Sequence, residues 1–310
     1  MSKPDLAVDF AGIPLLNPIV LLSGCIGFGE DLERLHGFDF SSVGALCLKG
    51  TTLTPRLGNP PPRVAETPAG MLNAIGLQNP GAKHVVEKIL PRIGHWPTQL
   101  IANIAGSTVA EYEEVARVFD DSSVAGIEIN ISCPNVKEGG AAFGSDPIVA
   151  AQVVEAVRRG TTKPVITKLS PNVTDIRTVA RAVLEAGTDG FSAINTLMGM
   201  AVDVAKGQAV LGNFQGGLSG PAIKPVALLQ VWRVYEVAKP HGIPIMGQGG
   251  IASSDDALEF ILAGSTAVGV GTALFKNPHL GGEIAQGIEE HIIKSGLDSV
   301  TALTGTLQAR

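Results

Sequence analysis

The sequence is poor in cysteine, in charge and in long apolar runs, and each shortage excludes a class of protein. Its three cysteines, Cys25, Cys47 and Cys133, are odd in number and widely spaced, so they predict no disulfide framework, zinc site or iron–sulfur cluster. Such sparse use of cysteine is typical of a reducing compartment, and we expect a cytoplasmic protein. No apolar run reaches the roughly 18 residues of a membrane span, and residues 1–9 lack the apolar core of a signal peptide.

Positive charge is also scarce. The formal net charge is −6, and Lys and Arg do not cluster anywhere along the chain, so we expect no nucleic-acid partner. Hydrophobic residues make up 45% of the sequence and charged residues 17%. That balance favours a globular protein whose sheet is covered on both faces.

Apolar, β-branched segments alternate with segments of helical periodicity along the chain. The predicted strands are Pro18–Leu22, Val43–Lys49, Gln99–Ala105, Gly126–Ile131, Pro164–Leu169, Gly190–Asn195, Ile243–Gly247 and Ala267–Val270. The predicted helices are Gly81–Ile93, Val109–Phe119, Pro147–Arg159, Asp175–Ala186, Pro225–Ala238, Ser254–Ala263 and Pro278–Lys294. Eight such strands indicate a parallel sheet closed into a (β/α)8 TIM barrel, because a doubly wound sheet usually stops near six strands. We therefore expect residues 1–310 to form one barrel domain with long insertions at its C-terminal face.

Three connections are much longer than the usual ~2–6 residues of a loop from strand to helix. They span Gly50–Pro80, Ser132–Asp146 and Thr196–Pro221, and each follows the C-terminal end of a predicted strand. Polar residues stand at the same ends of otherwise apolar strands: Lys49, Asn103, Asn130, Lys168, Asn195 and Gln248. Because barrel enzymes build their sites at this face, the pattern predicts a functional site there.

Glycines follow the last two predicted strands in 247-GQGGIASSDDALEFILAGSTAVGVGTALF-275. Gly249 and Gly250 precede a helix, and Gly271 and Thr272 follow the final strand. Glycines at these positions allow backbone N–H groups to approach a phosphate, and a helix N-terminus adds a favourable dipole. A single pair of glycines would suggest only a tight turn. Two sets predict a phosphate site for a sugar phosphate, pyridoxal phosphate or FMN.

Two lysines close apolar strands, Lys49 in 46-LCLKG-50 and Lys168 in 164-PVITKLSP-171. Lysine is seldom buried without a partner, so a solvated strand end is the simplest explanation. Lys168 could instead place an ammonium near the N1/C2 carbonyl edge of a flavin, or it could form a Schiff base as in an aldolase. The same choice applies to Lys49, and residue type alone leaves both hypotheses open.

Cys133 lies just past a strand end in 129-INISCPNVKEGG-140, between amides and glycines. Cysteine is often a small apolar filler, and this explanation suits Cys25 and especially Cys47, which falls inside a strand. Cys133 could act as a general base or as a nucleophile if nearby cations lower the pKa of its thiol. The six histidines fall on predicted helices or loops away from the strand ends, which argues against a Cys/His hydrolase.

Five asparagines fall in these loops or strand ends: Asn73, Asn103, Asn130, Asn135 and Asn195. Each amide offers donors and an acceptor, so a convergent set suits a planar ring with several C=O and N–H groups, such as a pyrimidine. Asn59 and Asn172 both adjoin proline and are expected to form turns.

With these residues in hand, the sequence resembles the catalytic, FMN-binding subunit of dihydroorotate dehydrogenase, most closely the class 1B form. The resemblance spans nearly the whole chain. Its most specific motifs are 55-PRLGNPPPRVAET-67, 71-MLNAIGLQNPG-81, 129-INISCPNVKEGG-140, 194-INTLMGMAVD-203, 216-GGLSGPAIKPVAL-228 and 246-MGQGGI-251. Two positions depart from the family pattern: Cys25 is commonly threonine in relatives, and Gln248 is often methionine.

The resemblance implies the FMN-dependent oxidation of (S)-dihydroorotate to orotate in pyrimidine biosynthesis. Cys133 is then the base that removes the C5 proton while hydride passes from C6 to flavin N5. The residues implied in orotate binding are Lys49, Asn73, Ile75, Gly76, Leu77, Asn130, Asn135, Asn195 and Thr196. Those implied in FMN binding are Ser23, Gly24, Lys49, Thr51, Asn103, Asn130, Lys168, Ile194, Gly220, Gly249, Gly250, Gly271 and Thr272.

A partner subunit is also implied by the resemblance. Class 1B enzymes pass electrons to NAD through a second subunit that carries FAD and a 2Fe–2S cluster. This chain has no spare set of cysteines for such a cluster and no GxGxxG dinucleotide motif of its own. We therefore expect a homodimer within a heterotetramer, and no metal site in this chain.

Other hypotheses remain beside this one. They are a fumarate-using class 1A enzyme, an FMN barrel that acts on another dihydropyrimidine, a Lys168-dependent aldolase and a non-catalytic phosphate-binding barrel. Lys49 distinguishes the oxidation of dihydroorotate from action on another dihydropyrimidine, because a carboxylated substrate requires a cation that uracil does not. The motifs NVKEGG and GGLSGPAIKPVAL favour class 1B over class 1A.

Overall fold

The computed structural model describes residues 4–131 and 140–309. Its strands, in chain order, are β1 (Val8–Phe10), β2 (Ile13–Leu15), β3 (Ile19–Leu21), β4 (Ala45–Cys47), β5 (Val64–Thr67), β6 (Gly70–Asn73), β7 (Gln99–Ile104), β8 (Gly126–Asn130), β9 (Val165–Leu169), β10 (Gly190–Ala193), β11 (Leu197–Gly199), β12 (Val202–Asp203), β13 (Gln208–Ala209), β14 (Gly216–Ser219), β15 (Ile245–Gln248) and β16 (Ala267–Val270). Its α-helices are α1 (Ser23–Ile26), α2 (Glu30–Glu33), α3 (Ala82–His84), α4 (Leu90–Ile93), α5 (Val109–Asp120), α6 (Gly140–Ser145), α7 (Pro147–Gly160), α8 (Ile176–Glu185), α9 (Lys224–Ala238), α10 (Ser254–Leu262) and α11 (Leu280–Lys294). Among the described residues, no helix is long and apolar enough to cross a membrane.

Eight parallel strands close into a barrel in the order β3–β4–β7–β8–β9–β10–β15–β16. The ring is completed where β16 pairs with β3, with Val268 opposite Ile19. Continuous apolar sequence fits these strands because one face fills the barrel and the other packs under helices. The predicted (β/α)8 TIM barrel is therefore confirmed, and each predicted strand overlaps one strand of the ring.

Side-chain caps begin two of the helices around the barrel. Thr108 accepts a hydrogen bond from the backbone N–H of Glu111 and begins α5, and Ser253 accepts from Asp256 and begins α10. The predicted helix Gly81–Ile93 is interrupted by a π-helical turn over Val85–Ile89. Pro91 follows directly and cannot donate a backbone hydrogen bond, so the helical bonding pattern changes there.

A short N-terminal hairpin of β1 and β2 covers the amino end of the barrel and was not predicted. Its turn places Ala11 and Gly12 at positive φ. Ile13 of the hairpin packs on the first residue of β8, where a Cβ built on Gly126 would lie 2.6 Å from the Ile13 side chain. The hairpin therefore closes the end of the barrel opposite to the predicted site.

A four-stranded antiparallel sheet stands at the carboxyl end, in the order β11–β14–β6–β5. It is formed by two of the three long connections, which the sequence predicted only as long loops. The strands are held closely because Gly70 pairs beside Ser219, where an ideal Cβ would lie 2.0 Å from the Ser219 carbonyl oxygen. The sheet therefore supplies a wall above the carboxyl ends of the barrel strands.

Candidate active site

A deep cavity opens at the carboxyl end of the barrel, between the ends of the barrel strands and the four-stranded sheet β11–β14–β6–β5. The space, including its open mouth, measures about 1290 Å³. Every barrel strand ends at this cavity. The residues at or just past the strand ends that line it are Ser23, Gly24, Lys49, Asn103, Asn130, Lys168, Ile194, Asn195, Gln248, Gly249, Gly269 and Gly271.

The cavity brings together almost every predicted site residue that the structure describes. The lining contains Ser23, Gly24, Lys49, Asn73, Ile75, Gly76, Leu77, Asn103, Asn130, Lys168, Ile194, Asn195, Thr196, Gly220, Gly249, Gly250, Gly271 and Thr272. Thr51 is the exception: it is buried outside the lining, and its hydroxyl donates to the Lys49 carbonyl oxygen at 2.8 Å. Cys133 and Asn135 lie outside the described residues.

Beneath the floor of the cavity lies Glu128, which was not predicted as a site residue. This residue of β8 is completely buried. Its carboxylate accepts hydrogen bonds from Asn103 Nδ2 at 2.5 Å, from Ser192 Oγ at 2.5 Å and from Cys47 Sγ at 3.2 Å. Glu128 could have been predicted from the sequence, because it is a charged residue in an apolar strand, two positions before Asn130. Strand alternation points both side chains into the barrel.

Lys168 and Glu128 form a buried ion pair. Lys168 Nζ lies 3.5 Å from Glu128 Oε1, and the two side chains are 9% and 0% exposed. Burial by itself raises the pKa of Glu128, but the ammonium of Lys168 and the hydrogen bonds from Ser192, Cys47 and Asn103 outweigh it, so the pKa lies below its ordinary value. Lys168 Nζ is thus held against a buried carboxylate, whereas a Schiff-base lysine must present its amine to a substrate carbonyl. The geometry therefore disfavours the aldolase hypothesis.

Two amides meet at the cavity above this floor. Asn195 Nδ2 donates to Asn130 Oδ1 at 3.1 Å, and Asn195 Oδ1 accepts from the backbone N–H of Thr196 at 2.8 Å. From outside the barrel, the buried Tyr112 of α5 donates its hydroxyl to the Asn130 carbonyl oxygen at 2.8 Å. Both amides are therefore held in defined orientations before any ligand binds.

Asn172 has a larger role than the turn predicted from its neighbouring proline. Its Nδ2 donates to the Thr196 carbonyl oxygen at 3.0 Å, and its Oδ1 accepts from the Met198 N–H at 2.9 Å. Asn172 thus fixes the chain where it leaves the barrel and enters β11. A contact between loops 24 residues apart has no local signal in the sequence.

The wall opposite these amides is formed by the segment from Asn73 to Leu77. Asn73 Nδ2 donates to the Gly217 carbonyl oxygen at 3.3 Å, which ties this segment to β14. Gly76 has φ +74°, and a Cβ there would lie 2.6 Å from Asn59. Asn59, predicted only as a turn former, also donates from Nδ2 to the Ala74 carbonyl oxygen at 3.1 Å. It therefore braces the backbone of the wall.

Glycines form the far end of the cavity, as the sequence predicted. Gly220, Gly249, Gly250 and Gly271 meet there with Thr272, whose hydroxyl donates to Ser219 Oγ at 2.8 Å. Gly250 has φ +86°, and a Cβ would lie 2.8 Å from Lys224 Cβ. A bulkier residue would displace this loop from α9. The short loops, hydroxyls and nearby start of α10 suit an anionic group such as a phosphate.

The two described cysteines are not activated. Cys25 lines the cavity, and burial raises the pKa of its thiol to about 12 although Lys168 and Lys49 oppose the shift. Burial and the neighbouring Glu128 raise the pKa of Cys47 well above its ordinary value, again against Lys168. Both thiols are protonated near neutrality, so neither is a nucleophile in this state.

Sequence comparison decides the family. The sequence model of the family described as dihydroorotate dehydrogenase matches residues 5–292. The chain belongs to the dihydroorotate dehydrogenase family. The resemblance seen in the motifs is thereby confirmed, and with it the prediction of a dihydroorotate dehydrogenase at the level of the family.

Curated dihydroorotate dehydrogenase relatives match this chain from end to end. A protein of Geotalea daltonii is 51% identical over 99% of this chain and 100% of its own length. Proteins of Desulforamulus reducens and Pelobacter propionicus are each 51% identical, over 98% and 99% of this chain and of their own lengths. All three are named dihydroorotate dehydrogenase B (NAD(+)), catalytic subunit.

Proposed function

We propose that this chain is the FMN-binding catalytic subunit of an NAD-linked dihydroorotate dehydrogenase, which oxidises (S)-dihydroorotate to orotate in pyrimidine biosynthesis. The observation that carries the proposal is a single cavity that joins a glycine-lined end to two lysines and a set of oriented amides. The names of relatives matched over their whole length support the substrate and the link to NAD. The cytoplasmic location and the single-domain organisation stay predictions.

The residues of the cavity fit FMN in three respects. Gly220, Gly249, Gly250, Gly271 and Thr272 form an end that suits the ribityl phosphate. Lys168 supplies a fixed positive charge on the floor. Asn103 Oδ1 and Gln248 Oε1 are buried beside the cavity without a hydrogen-bond partner among the described residues, as expected of a polar site whose ligand is part of its structure.

Bound FMN would supply the acceptor for the hydride that leaves C6 of dihydroorotate. In this proposal, Lys168 and Asn103 contact FMN from the floor of the cavity, and Asn130 contacts both FMN and the substrate. The backbone near Ser23, Gly24 and Ile194 completes the FMN contacts in this proposal. Thr51 acts through Lys49, whose backbone it holds, since its own buried side chain does not line the cavity.

The substrate side of the cavity takes the orotate ring. Lys49 pairs with the carboxylate, because the ammonium complements its negative charge in a charge-assisted hydrogen bond. The amides assigned to the ring are Asn73, Asn130, Asn195 and, outside the described residues, Asn135. The Thr196 hydroxyl and the backbone of residues 75–77 line the rest, all within the same cavity. Fixed amides lower the entropic cost of orienting the ring.

Cys133 is proposed as the general base that removes the C5 proton. It lies outside the described residues, so the proposal rests on the motif 129-INISCPN-135 and on the position of Asn130 at the cavity. Cys133 is three positions after Asn130 in the sequence, a span of at most roughly 10 Å in extended chain. This short span supports the proposal that the thiol acts on a substrate held by Asn130.

Electrons leave to NAD through a partner subunit with FAD and a 2Fe–2S cluster, in a heterotetramer built on a homodimer of this chain. The words "NAD(+)" and "catalytic subunit" in the relatives' names support the link to NAD and a partner subunit. The partner's FAD and 2Fe–2S cluster and the heterotetramer follow from the class 1B resemblance. A class 1A enzyme would instead pass its electrons to fumarate. The two alternatives differ in the acceptor that reoxidises the reduced protein.

The proposal is tested by purifying the chain and adding dihydroorotate without oxygen. We expect a yellow protein that holds FMN and loses its visible flavin absorbance on titration with dihydroorotate, whereas dihydrouracil leaves the absorbance in place. Fumarate should not restore the colour of the isolated chain, but NAD should in the presence of the partner subunit. A colourless protein that cannot be reconstituted with FMN contradicts the proposal, and rapid reoxidation by fumarate would place the chain in class 1A.

A further inference from the structure

Beneath the cavity, the carboxylate of Glu128 joins side chains from four other barrel strands. Cys47 comes from β4, Asn103 from β7, Lys168 from β9 and Ser192 from β10. Asn103 and Lys168 also line the cavity, whereas Glu128 does not. Among the described residues, Asn103 and Lys168 are the cavity-lining side chains that Glu128 contacts directly.

The Glu128 carboxylate and the Lys168 ammonium at the centre of this network can be buried because they pair with each other. A charged carboxylate or ammonium is very costly inside a protein unless it is paired and hydrogen bonded. Glu128 is completely buried and Lys168 nearly so, and each supplies the opposite charge for the other. Without Glu128, the cavity floor would hold an ammonium with no carboxylate beside it among the described residues.

Glu128 also determines which way the Asn103 amide points. An ionised carboxylate can only accept, so the amide must turn its NH2 group toward Glu128. Asn103 Nδ2 does donate to Glu128, and Asn103 Oδ1 is left without a partner among the described residues. Ser192 completes the arrangement, since its hydroxyl donates to Glu128 and accepts from Gln248 Nε2 at 3.4 Å.

We propose that Glu128 is a positioning residue for the cofactor, holding Lys168 as a fixed ammonium and orienting Asn103, and that it thereby strengthens the binding of reduced FMN relative to oxidised FMN. The inference rests on the proposed function, because it takes FMN to be the ligand of this cavity. Reduction adds negative charge to the flavin ring, and an ammonium held in a site of low dielectric stabilises that charge. Glu128 acts on the ring through Lys168, not by contact.

The sign of the effect separates this role from simple charge repulsion. A carboxylate that acted only by its own charge would repel reduced FMN, and its removal would strengthen the binding of the reduced form. A carboxylate that acts through Lys168 has the opposite effect, because its removal also loses the fixed ammonium. A structural role alone would change the stability of the fold without changing the ratio of the affinities for reduced and oxidised FMN.

The ratio can be measured in the holoenzyme. The midpoint potential of bound FMN, compared with that of free FMN, gives the ratio of the dissociation constants of the oxidised and reduced forms. In Glu128→Gln, which keeps the side-chain shape, we expect the preference for reduced FMN to fall by roughly tenfold or more, the worth of one charge-assisted hydrogen bond. Lys168→Met should lower it too, and the double variant should go no lower than Lys168→Met alone.

Thr167→Val is the matched control. Thr167 is a buried residue of the same strand, one position from Lys168, and its hydroxyl bonds to Thr188 at 2.9 Å on the opposite face. This variant loses a buried hydrogen bond outside the cavity, so its ratio should equal that of the wild type. If Glu128→Gln fails to fold, Ser192→Ala serves instead. It removes one donor to the carboxylate, so the preference should fall in the same direction by a smaller factor.

An unchanged or increased preference for reduced FMN in Glu128→Gln overturns the inference, as does an additive loss in the double variant. If only Ser192→Ala folds, an unchanged ratio there overturns it. These failures leave the proposed function standing, because the wild type would still hold FMN and be reduced by dihydroorotate. A wild-type chain that cannot hold FMN overturns both.

Discussion

Asn195 donates a hydrogen bond to Asn130 across β9, the strand that separates β10 from β8, at a distance of 3.1 Å. The contact occupies the side-chain oxygen of Asn130, so that amide turns its NH2 group away from Asn195. The Thr196 N–H in turn occupies the oxygen of Asn195. The sequence predicted both amides at strand ends, and the structure shows that they act as a pair.

Loss of this pair should weaken substrate binding. In Asn195→Ala, the cavity loses one amide and Asn130 loses the hydrogen bond from Asn195, so we expect KM for dihydroorotate to rise by about 2–10-fold, as for one or two neutral hydrogen bonds. Steady-state kinetics with the partner subunit or an artificial acceptor measures this change. Asn213→Ala, outside the cavity, is the control and should leave KM unchanged. An unaltered KM in Asn195→Ala would show that the pair does not orient the substrate.

Lys49 should determine the preference for a carboxylated ring. In Lys49→Met, we expect the affinity for orotate to fall by roughly 10–100-fold, because a charge-assisted contact is lost in a partly enclosed site. Uracil has no carboxylate, and its weak binding should change little. Titration of the flavin spectrum with each ligand provides the comparison. Equal losses for orotate and uracil would argue that Lys49 holds the shape of the site instead of the carboxylate.

The two cysteines at positions 25 and 133 should behave differently. In Cys133→Ala, FMN and orotate binding should persist while flavin reduction slows by about 10²–10⁴, the usual contribution of a general base. The pKa of Cys25 is raised to about 12, so its thiol stays protonated near neutrality and adds no pH dependence there. Cys25→Ser should therefore retain the wild-type pH profile of reduction. Normal reduction by Cys133→Ala would remove that residue from its proposed role.

Glu128 should contribute to the acid sensitivity of the fold. The pKa of Glu128 is lower in the folded chain than its ordinary value, mainly because Lys168 and three donors outweigh the effect of burial. Its stabilisation is therefore present above the unfolded pKa, near ~4.3, and is lost as the pH falls through the lower folded pKa. The melting temperature of Glu128→Gln should change less between pH 5 and 3 than that of the wild type, as measured by circular dichroism. Parallel curves would contradict this prediction.

Gly250 should be required for retention of FMN. Alanine there has to adopt a left-handed φ, and its Cβ meets Lys224 Cβ at 2.8 Å, so the loop must shift away from the cavity end. We expect Gly250→Ala to lose FMN on gel filtration. Gly296 also has a positive φ, but a Cβ added there would meet no other atom within 4 Å. Gly296→Ala therefore has the backbone strain without the steric clash and should keep the cofactor. Full retention of FMN by Gly250→Ala would refute the assigned phosphate end.

The sequence predicted the barrel because its signals are local and repeated. Ile127 and Ile129 alternate with inward-facing residues in a buried strand, and Thr108 and Ser253 provide helix caps. The long connections were recognised by length, but not the sheet that two of them form. Its strands have three or four residues each, and β6 pairs with β14 across more than 140 residues, as when Asn73 meets Gly217. No local pattern specifies such a partner.

Eight closing strands, with polar side chains at their carboxyl ends, could be predicted from the sequence alone because strand direction is shared throughout a parallel barrel. The contacts among those side chains depend on how the chain folds. Glu128 lies 81 residues from Cys47 and 64 from Ser192 along the chain, and it meets both because barrel closure turns them inward at one level. The charges at the cavity floor and the orientations of its side chains therefore depend on closure of the barrel, and no single strand predicts them.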